Sequence, residues 1–259
     1  MITMEWKMLV CNLASGSAGN STYVETKKYK ILIDLGRTSK YITEKLKEIN
    51  VDAKDIDYIF LTHTHDDHTS AIKTFLKNKK AKLVLTRKML NELNLDIADN
   101  SIVYEENPDI DGLDVKSFKM SHDVADSRGF LFAEGDSSFV YITDTGYINS
   151  RYLKELKGKK SYFIESNHDI EMLMHGPYPE YLKRRVLSDK GHLSNKFAGI
   201  YLSKLIDENT KNIVLMHLSE KNNSEDIALS TVIAALDDLN LNFNITCAKQ
   251  NEISEVFEI

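Results

Sequence analysis

The sequence contains little cysteine and little proline, and it has no long apolar run. Its 259 residues include only Cys11 and Cys247, too few for the disulfide framework of a small secreted protein. Three prolines and no segment rich in glycine, serine or proline leave no hinge, so we expect one domain over residues 1–259. No stretch approaches the roughly 18 apolar residues that a membrane-spanning helix needs.

The N-terminal residues indicate where the protein is located, and the net charge indicates which partners it binds. Residues 1–8 have neither the apolar core nor the small-residue cleavage site of a signal peptide, which predicts a cytoplasmic protein. A formal net charge of −6 argues against nonspecific coating of nucleic acid. One local basic cluster is present, and it is either a solvated helix face or part of an anion site. It consists of Lys183, Arg184, Arg185, Lys190 and Lys196.

The apolar pattern predicts a mixed α/β chain. Strands are expected at 8–13, 21–25, 30–34, 58–61, 83–85, 102–105, 113–121, 129–134, 138–143, 161–165, 212–216 and 243–248. Helices are expected at 88–93, 149–157, 179–187, 195–207 and 224–239, and Thr69 is expected to cap a further helix that carries Ile72, Phe75 and Leu76. Two runs of strands flanked by helices predict two sheets packed face to face with helices outside, a four-layer αββα sandwich.

The clearest chemical signal is a cluster of ligand-type residues directly after a short apolar strand. The run Ile59-Phe60-Leu61 leads into His63-Thr64-His65-Asp66-Asp67-His68. Imidazole binds borderline metals such as zinc, and a carboxylate supplies an anionic oxygen. Because a strand brings the residues at its carboxyl end to one edge of a sheet, this spacing predicts a metal site.

Three further strand ends carry a residue of ligand type. His122 follows the run 115–121, Asp144 follows 139–143, and His217 follows 213–216. A lone histidine at a strand end is more often a hydrogen-bonded structural residue than a metal ligand. Four such strand ends in one chain, counting the cluster at 63–68, predict a site assembled from several strands.

These residues, in this order, resemble the motifs of the metallo-β-lactamase fold superfamily. The cluster at 63–68 matches its HxHxDH motif, and Asp34, His122, Asp144 and His217 follow the order of its other motifs. The resemblance implies an αββα sandwich with a dinuclear site along one edge. One ion would take His63, His65 and His122, and the other would take Asp67, His68 and His217, with Asp144 bridging both. Asp34 would be a buried carboxylate behind the ligands.

Other stretches are similar to the YycJ/WalJ-type group of bacterial nucleases with this fold. They are residues 15–20, 165–169, 182–185, 191–195 and 217–223, together with Tyr178-Pro179. Diiron oxygen-reducing members carry Glu where this chain has His65. Antibiotic-hydrolysing members commonly use a cysteine ligand, and neither cysteine here lies in a motif.

The resemblance implies a metal-dependent phosphodiesterase that hydrolyses nucleic acid, and we expect a DNA exonuclease. It would use a hydroxide bridging two divalent ions, zinc or manganese with iron as a further option, and Asp67 would orient this nucleophile. Two alternatives stay open. A small-molecule metallohydrolase resembling the thioesterase glyoxalase II would share the full ligand set, and a noncatalytic regulatory protein would be expected to have lost ligands.

The expected substrate contacts lie in residues 191–195 and in the turn at 15–20. His192 would donate a hydrogen bond to phosphate or a proton to the leaving oxygen. Ser194 and Asn195 open a predicted helix whose free N–H groups suit phosphate binding, although Ser194 could simply be its N-cap. Ser15, Ser17 and Asn20 form a second candidate cradle for phosphate.

A few aromatic residues and histidines have weaker signals. His168 follows a strand-like run and is expected to lie behind the ligands, whereas His175 is expected on the surface. Tyr178, Tyr181 and Phe130 are candidates for stacking on bases, but core packing is the commoner role of aromatic side chains.

Overall fold

A computed structural model of the protein describes residues 6–77, 80–94 and 100–259. In chain order the strands are β1 (Leu9–Ala14), β2 (Ser21–Glu25), β3 (Lys30–Ile33), β4 (Tyr58–Phe60), β5 (Lys82–Thr86), β6 (Ser101–Tyr104), β7 (Asp114–Lys119), β8 (Arg128–Glu134), β9 (Ser137–Ile142), β10 (Ser161–Glu165), β11 (Asn212–Met216), β12 (Asn244–Cys247) and β13 (Phe257–Glu258). The α-helices are α1 (Ser39–Glu48), α2 (Asp66–Thr69), α3 (Ile72–Leu76), α4 (Arg87–Leu93), α5 (Leu153–Leu156), α6 (Ile170–His175), α7 (Glu180–Val186), α8 (Asn195–Leu205) and α9 (Glu225–Leu236).

The strands form two mixed sheets. The first has the order β13-β1-β2-β3-β4-β5-β6, with antiparallel pairing from β13 to β3 and parallel pairing from β3 to β6. The second has the order β12-β11-β10-β9-β8-β7, which is parallel from β12 to β9 and antiparallel from β9 to β7. Each sheet therefore brings the carboxyl ends of several parallel strands to one edge.

Aromatic side chains fill the space between the two sheets. Phe60 of the first sheet lies edge-on to Phe130 and Phe132 of the second, with ring centroids 5.5 and 5.2 Å apart. Separate apolar clusters cover the outer faces, one beneath α1, α3 and α4 and the other beneath α5, α8 and α9. The predicted αββα layering is confirmed. Residues 1–5, 78–79 and 95–99 of the predicted single domain lie outside the described ranges, and that domain assignment stays a prediction.

Three polar residues at strand ends have left-handed backbone conformations. They are Asp34 after β3, Asp144 after β9 and His217 after β11, with φ of 63°, 50° and 56°. Such conformations are costly for residues other than glycine, and they persist where the surrounding structure fixes them, often at functional sites. All three were predicted site residues.

Most predicted elements are present, but the Thr69 N-cap is wrong. Helix α2 begins after His65 and ends at Thr69, whose hydroxyl donates to the His65 carbonyl at 3.0 Å instead of receiving an N–H group. The next helix, α3, follows Ala71. Helix α6 was not predicted. In the described ranges, no helix has the length and apolar character needed to cross a membrane.

Candidate metal centre

The structure brings all seven predicted metal ligands to one edge of the sandwich. Their ligand atoms fall into three groups, and within each group the atoms lie within 4.8 Å of one another. The groups are His63, His65 and His122; His63, Asp67 and His68; and Asp144, Glu165, His192 and His217. Two members of the third group, Glu165 and His192, were not predicted as metal ligands.

Asp34 and Thr62 set the orientation of two histidines. The Asp34 carboxylate is fully buried, and its Oδ2 accepts a hydrogen bond from His68 Nδ1 at 2.8 Å. It also accepts the Thr62 N–H and hydroxyl, both at 2.8 Å, and the Thr62 oxygen lies 3.0 Å from His63 Nδ1. The Nε2 atoms then face away from these outer partners, as expected of metal-binding histidines. That of His63 has no hydrogen-bond partner among the described residues, and that of His68 lies 2.9 Å from Asn20 Nδ2.

The other histidine ligands are held in the same manner. His122 Nδ1 donates to the Gly191 carbonyl at 3.1 Å, and His122 Nε2 lies 3.3 Å from His65 Nδ1. His217 Nδ1 lies 3.0 Å from a Glu165 oxygen. His65 Nε2 faces the Asp123 carboxylate at 3.7 Å.

Asp144 occupies the centre of the cluster. Its two oxygens lie 3.2 Å from His68 Nε2, 3.4 Å from His217 Nδ1 and 3.8 Å from His122 Nε2. Burial alone would raise the pKa of this carboxyl, but His217 and His68 hold it well below the usual value. Asp144 thus contacts residues of both predicted ligand sets, the position required of a bridging carboxylate.

Asp67 faces the centre from the other side. Its Oδ2 lies 3.6 Å from both His68 Nε2 and His217 Nε2. The Asp67 backbone is fixed by the Asn20 N–H, which donates to its carbonyl at 2.8 Å, and by close contact with Gly36. A Cβ atom at Gly36 would lie 1.5 Å from that carbonyl oxygen, so only glycine fits this approach.

These residues fit a divalent metal. Among the described residues, the buried Nε2 atoms of His63 and His217 have no hydrogen-bond partner, although a buried polar atom normally has one. Burial lowers the pKa of His63 well below its usual value, which keeps the neutral imidazole that a metal requires. The donors are nitrogen and oxygen atoms with no thiolate, a set that suits several divalent metals.

Glu165 is the functional residue that the sequence interpretation missed. It is the last residue of β10 and fully buried, and its carboxylate lies 2.7 Å from His192 Nδ1. It also accepts the Thr145 N–H at 2.9 Å. Burial opposes ionisation, but His192 lowers the pKa of Glu165 to about 2. The signal was available, since Glu165 ends a buried strand as the predicted ligands do.

Three of the predicted substrate contacts are buried and bonded to other parts of the protein. Ser194 caps α8 by accepting the Phe197 N–H at 3.3 Å. Asn195 is 1% exposed and exchanges side-chain hydrogen bonds with Asn223. Ser15 is 2% exposed, and its Oγ accepts the His217 N–H at 2.8 Å. Each of these side chains is held by a hydrogen bond within the protein, and its contact with a substrate stays a prediction.

The turn at 15–20 also supports the ligands. Asn20 is buried with its Nδ2 atom 2.9 Å from His68 Nε2, so its side chain is not free to hold phosphate. Ser17 is exposed and borders a cleft beside His192. Of the three residues in this turn that were predicted to hold phosphate, only Ser17 is exposed.

The remaining histidines and aromatic residues occupy different surroundings. His168 is buried, its pKa is lowered by burial to about 4, and neither ring nitrogen has a hydrogen-bond partner in the described part of the chain. Its predicted place behind the ligands stays a prediction. His175 is exposed as expected. Phe130 is a core residue, whereas Tyr181 is 75% exposed.

The five cations at 183–196 do not form one surface. Lys183 is buried, and its ammonium group donates to the Met174 carbonyl at 2.6 Å. Arg185 is half-exposed and donates through Nε to the Asp123 carboxylate at 2.6 Å. Arg184, Lys190 and Lys196 are exposed. Of the five cations, only Arg185 has a described contact next to the metal cluster, because its partner Asp123 faces His65.

We expect Asp34→Asn to weaken metal binding by about 10- to 100-fold, the usual effect of losing a partner that orients a ligand. The amide can no longer accept every hydrogen bond that His68 and Thr62 now donate to this carboxylate. Competition with a chromophoric chelator measures the change. Asp57→Asn is the matched control, because the Asp57 carboxylate also accepts hydrogen bonds, from the Lys80 ammonium and the Lys30 N–H, but belongs to none of the ligand groups. Equal affinities in the two folded variants would contradict this role.

Known proteins share both the sequence and the fold. Residues 14–156 match the sequence profile of the metallo-beta-lactamase superfamily. The chain is 37% identical over 241 residues to a Streptococcus pneumoniae protein named exodeoxyribonuclease WalJ, covering 90% of each chain. It is 34% identical over 232 residues to exodeoxyribonuclease YycJ of Bacillus anthracis, covering 87% of this chain and 88% of that one.

A solved structure supports the same relationship at the level of the fold. The metallo-β-lactamase fold protein YhfI of Bacillus subtilis superimposes with a TM-score of 0.72 over 96% of this chain and 99% of its own, at 17% identity. The chain therefore belongs to the metallo-β-lactamase superfamily and, within it, to the WalJ/YycJ group.

Proposed function

We propose that this protein is a metal-dependent nuclease that removes nucleotides from the end of a DNA strand. The observation that carries the proposal is a complete set of seven metal-ligand side chains at one edge. The chain that holds them matches named exodeoxyribonucleases over about nine-tenths of its length. The cytoplasmic location expected from the sequence stays a prediction.

The same arrangement supports two metal ions. His63, His65 and His122 would hold one, and Asp67, His68 and His217 would hold the other, with Asp144 between them. Bound divalent ions supply Lewis acidity, which lowers the pKa of water and neutralises charge on the phosphate oxygens. Zinc, manganese and iron all bind nitrogen and oxygen donors of this kind, so these donors do not favour one of the three metals over the others.

Asp67 and His192 have the geometry for the two proton-handling roles. Asp67 keeps 24% of its side chain exposed, so its carboxylate can accept a hydrogen bond from the attacking water and orient it. His192 donates through Nδ1 to Glu165 and is 19% exposed. Burial alone would lower the pKa of His192, but Glu165 raises it, which favours an imidazolium that gives its Nε2 proton to the leaving oxygen.

The two alternative functions have less support. A noncatalytic protein would be expected to have lost ligands, and all seven are present. A thioesterase of the glyoxalase II type would share the full ligand set, but the relatives that match this chain over about nine-tenths of its length are named exodeoxyribonucleases.

End-labelled DNA tests the proposal. The purified protein is incubated with Mn²⁺ or Zn²⁺ on single- and double-stranded DNA, on RNA of the same sequence and on a small thioester, each with a chelator control. We expect chelator-sensitive release of mononucleotides from DNA. Thioester turnover without release of nucleotides would replace the proposal with a small-molecule hydrolase, and no turnover of any substrate would favour the regulatory alternative.

A further inference from the structure

A small cleft lies next to the metal centre, between α7 and the turn at 15–20. It has a volume of about 140 Å³. The lining side chains that matter here are Ser17, Tyr178, Leu182, Arg185, His192 and Ser219. This volume is well below the roughly 300 Å³ at which pockets for drug-sized ligands begin, so the cleft has room for one small ring system.

The lining combines an apolar wall with one cation. Tyr178 and Leu182 supply the apolar surface, and Arg185 is the only charged side chain other than His192 among the residues that line the cleft. Arg185 binds Asp123 through Nε alone. In the described part of the chain, its two terminal guanidinium nitrogens have no hydrogen-bond partner. Arginine in such a position can contact a phosphate while an adjacent ring packs on a base.

The cleft and the metal centre share a wall. His192 lines the cleft, and its Nδ1 atom lies 3.4 Å from Asp144 at the middle of the ligand cluster. Asp123, which holds Arg185, has its other oxygen 3.7 Å from His65 Nε2. A phosphate bound at the ligand cluster would therefore have its attached nucleoside within reach of this cleft.

We propose that this cleft binds the terminal nucleoside of the strand, with its base against Tyr178 and Leu182. The inference rests on the proposed nuclease function and specifies which part of the DNA the site recognises. Because the cleft accommodates one ring system, it selects a strand end over an internal position. Arg185 supplies the positive charge on the side where the phosphate enters.

A substrate that lacks only the terminal base tests the inference. Two oligonucleotides are compared, one with a natural terminal nucleotide and one with an abasic sugar in its place, and kcat/KM is measured for each. We expect the wild-type protein to prefer the natural end by about tenfold, within the range for stacking of one base on an aromatic ring. The ratio is internal to each variant, so a partial loss of folded protein does not change it.

Variants at Tyr178, just before α7, and at Tyr181, inside it, identify the residue responsible. We expect Tyr178→Ala to reduce the preference to near unity and Tyr178→Phe to retain it, because the Tyr178 hydroxyl has no hydrogen bond to any described residue. Tyr181→Ala is the matched control, since Tyr181 lies three positions away, is 75% exposed and does not line the cleft. It should keep the wild-type preference.

The outcomes separate this inference from the proposed function. If the wild-type protein degrades both oligonucleotides equally, or Tyr178→Ala keeps the preference, the nucleoside site is overturned and the nuclease function stands. If the wild-type protein degrades neither oligonucleotide, the proposed function fails, and the inference fails with it.

Discussion

Replacing Asp67 by Asn should reduce the release of mononucleotides from DNA by about a thousandfold or more. The carboxylate is predicted both to hold a metal and to orient the attacking water, and its oxygen faces His68 and His217 at 3.6 Å. An amide keeps the shape of the side chain but loses the charge that both tasks use. Initial rates on end-labelled DNA, at saturating metal, measure the effect.

Asp66 offers a matched control for this prediction. It is adjacent to Asp67 in the first turn of α2, but its side chain is exposed and lies outside the ligand groups. Asp66→Asn should change the rate by less than about twofold, as for an ordinary surface substitution. Similar rates in the two variants would remove Asp67 from the chemistry.

Replacing His192 by Ala should slow DNA hydrolysis by about 100- to 10,000-fold, the usual contribution of a general acid. The loss should be much smaller on a p-nitrophenyl ester of a nucleotide, whose leaving group departs without a proton. Kinetics on the two substrates, measured in parallel, give the comparison. Equal losses on both substrates would show that His192 binds or supports the site instead of protonating the leaving oxygen.

Glu165 holds His192 and also His217, so at saturating metal it should share the behaviour of His192. Glu165→Gln removes the charge that raises the pKa of His192, so it should also slow DNA hydrolysis more than ester hydrolysis. The double variant should be little worse than His192→Ala alone, since residues that act as a unit give non-additive losses. His175→Ala, at an exposed histidine on α6, is the control.

The residues of the candidate metal cluster could be predicted from the sequence because their positions follow a local rule. His63, His122, Asp144 and His217 lie just beyond the end of a strand, His65, Asp67 and His68 follow His63 in the same short segment, and neighbouring strands bring such ends to one edge of a sheet. The rule also covers Glu165, but an acidic residue inside a strand that reads Ser-Tyr-Phe-Ile-Glu resembles an ordinary strand terminus. Its role becomes visible only when His192 and His217 are beside it.

The substrate contacts were harder to predict because burial depends on the whole fold. Ser194 and Asn195 resemble phosphate-binding residues in the sequence, yet both are buried, and Asn195 is bonded to Ser166 and Asn223. The cations at 183–196 differ in the same way, since two positions along α7 separate a buried Lys183 from a half-exposed Arg185. Sequence spacing indicates which side chains share a helix face but does not show what packs against that face.

The strained strand ends connect the fold to the site. Asp34, Asp144 and His217 have positive φ, and the side chain of each contacts residues of the cluster. Hydrogen bonds from the Asp34 N–H to the Phe60 carbonyl and from the His217 N–H to Ser15 Oγ fix two of these backbones. A strand pattern in the sequence does not predict a positive φ. The tertiary hydrogen bonds that offset the cost of this conformation exist only in the folded protein.

The number of metal ions bound per chain tests the central claim most directly. Native mass spectrometry of the purified protein, after saturation with Mn²⁺ or Zn²⁺ and removal of free ion, counts them without relying on activity. Two sets of donors that share Asp144 predict two ions per chain in the wild-type protein. A protein that is folded and saturated but binds one ion, or none, would contradict the account.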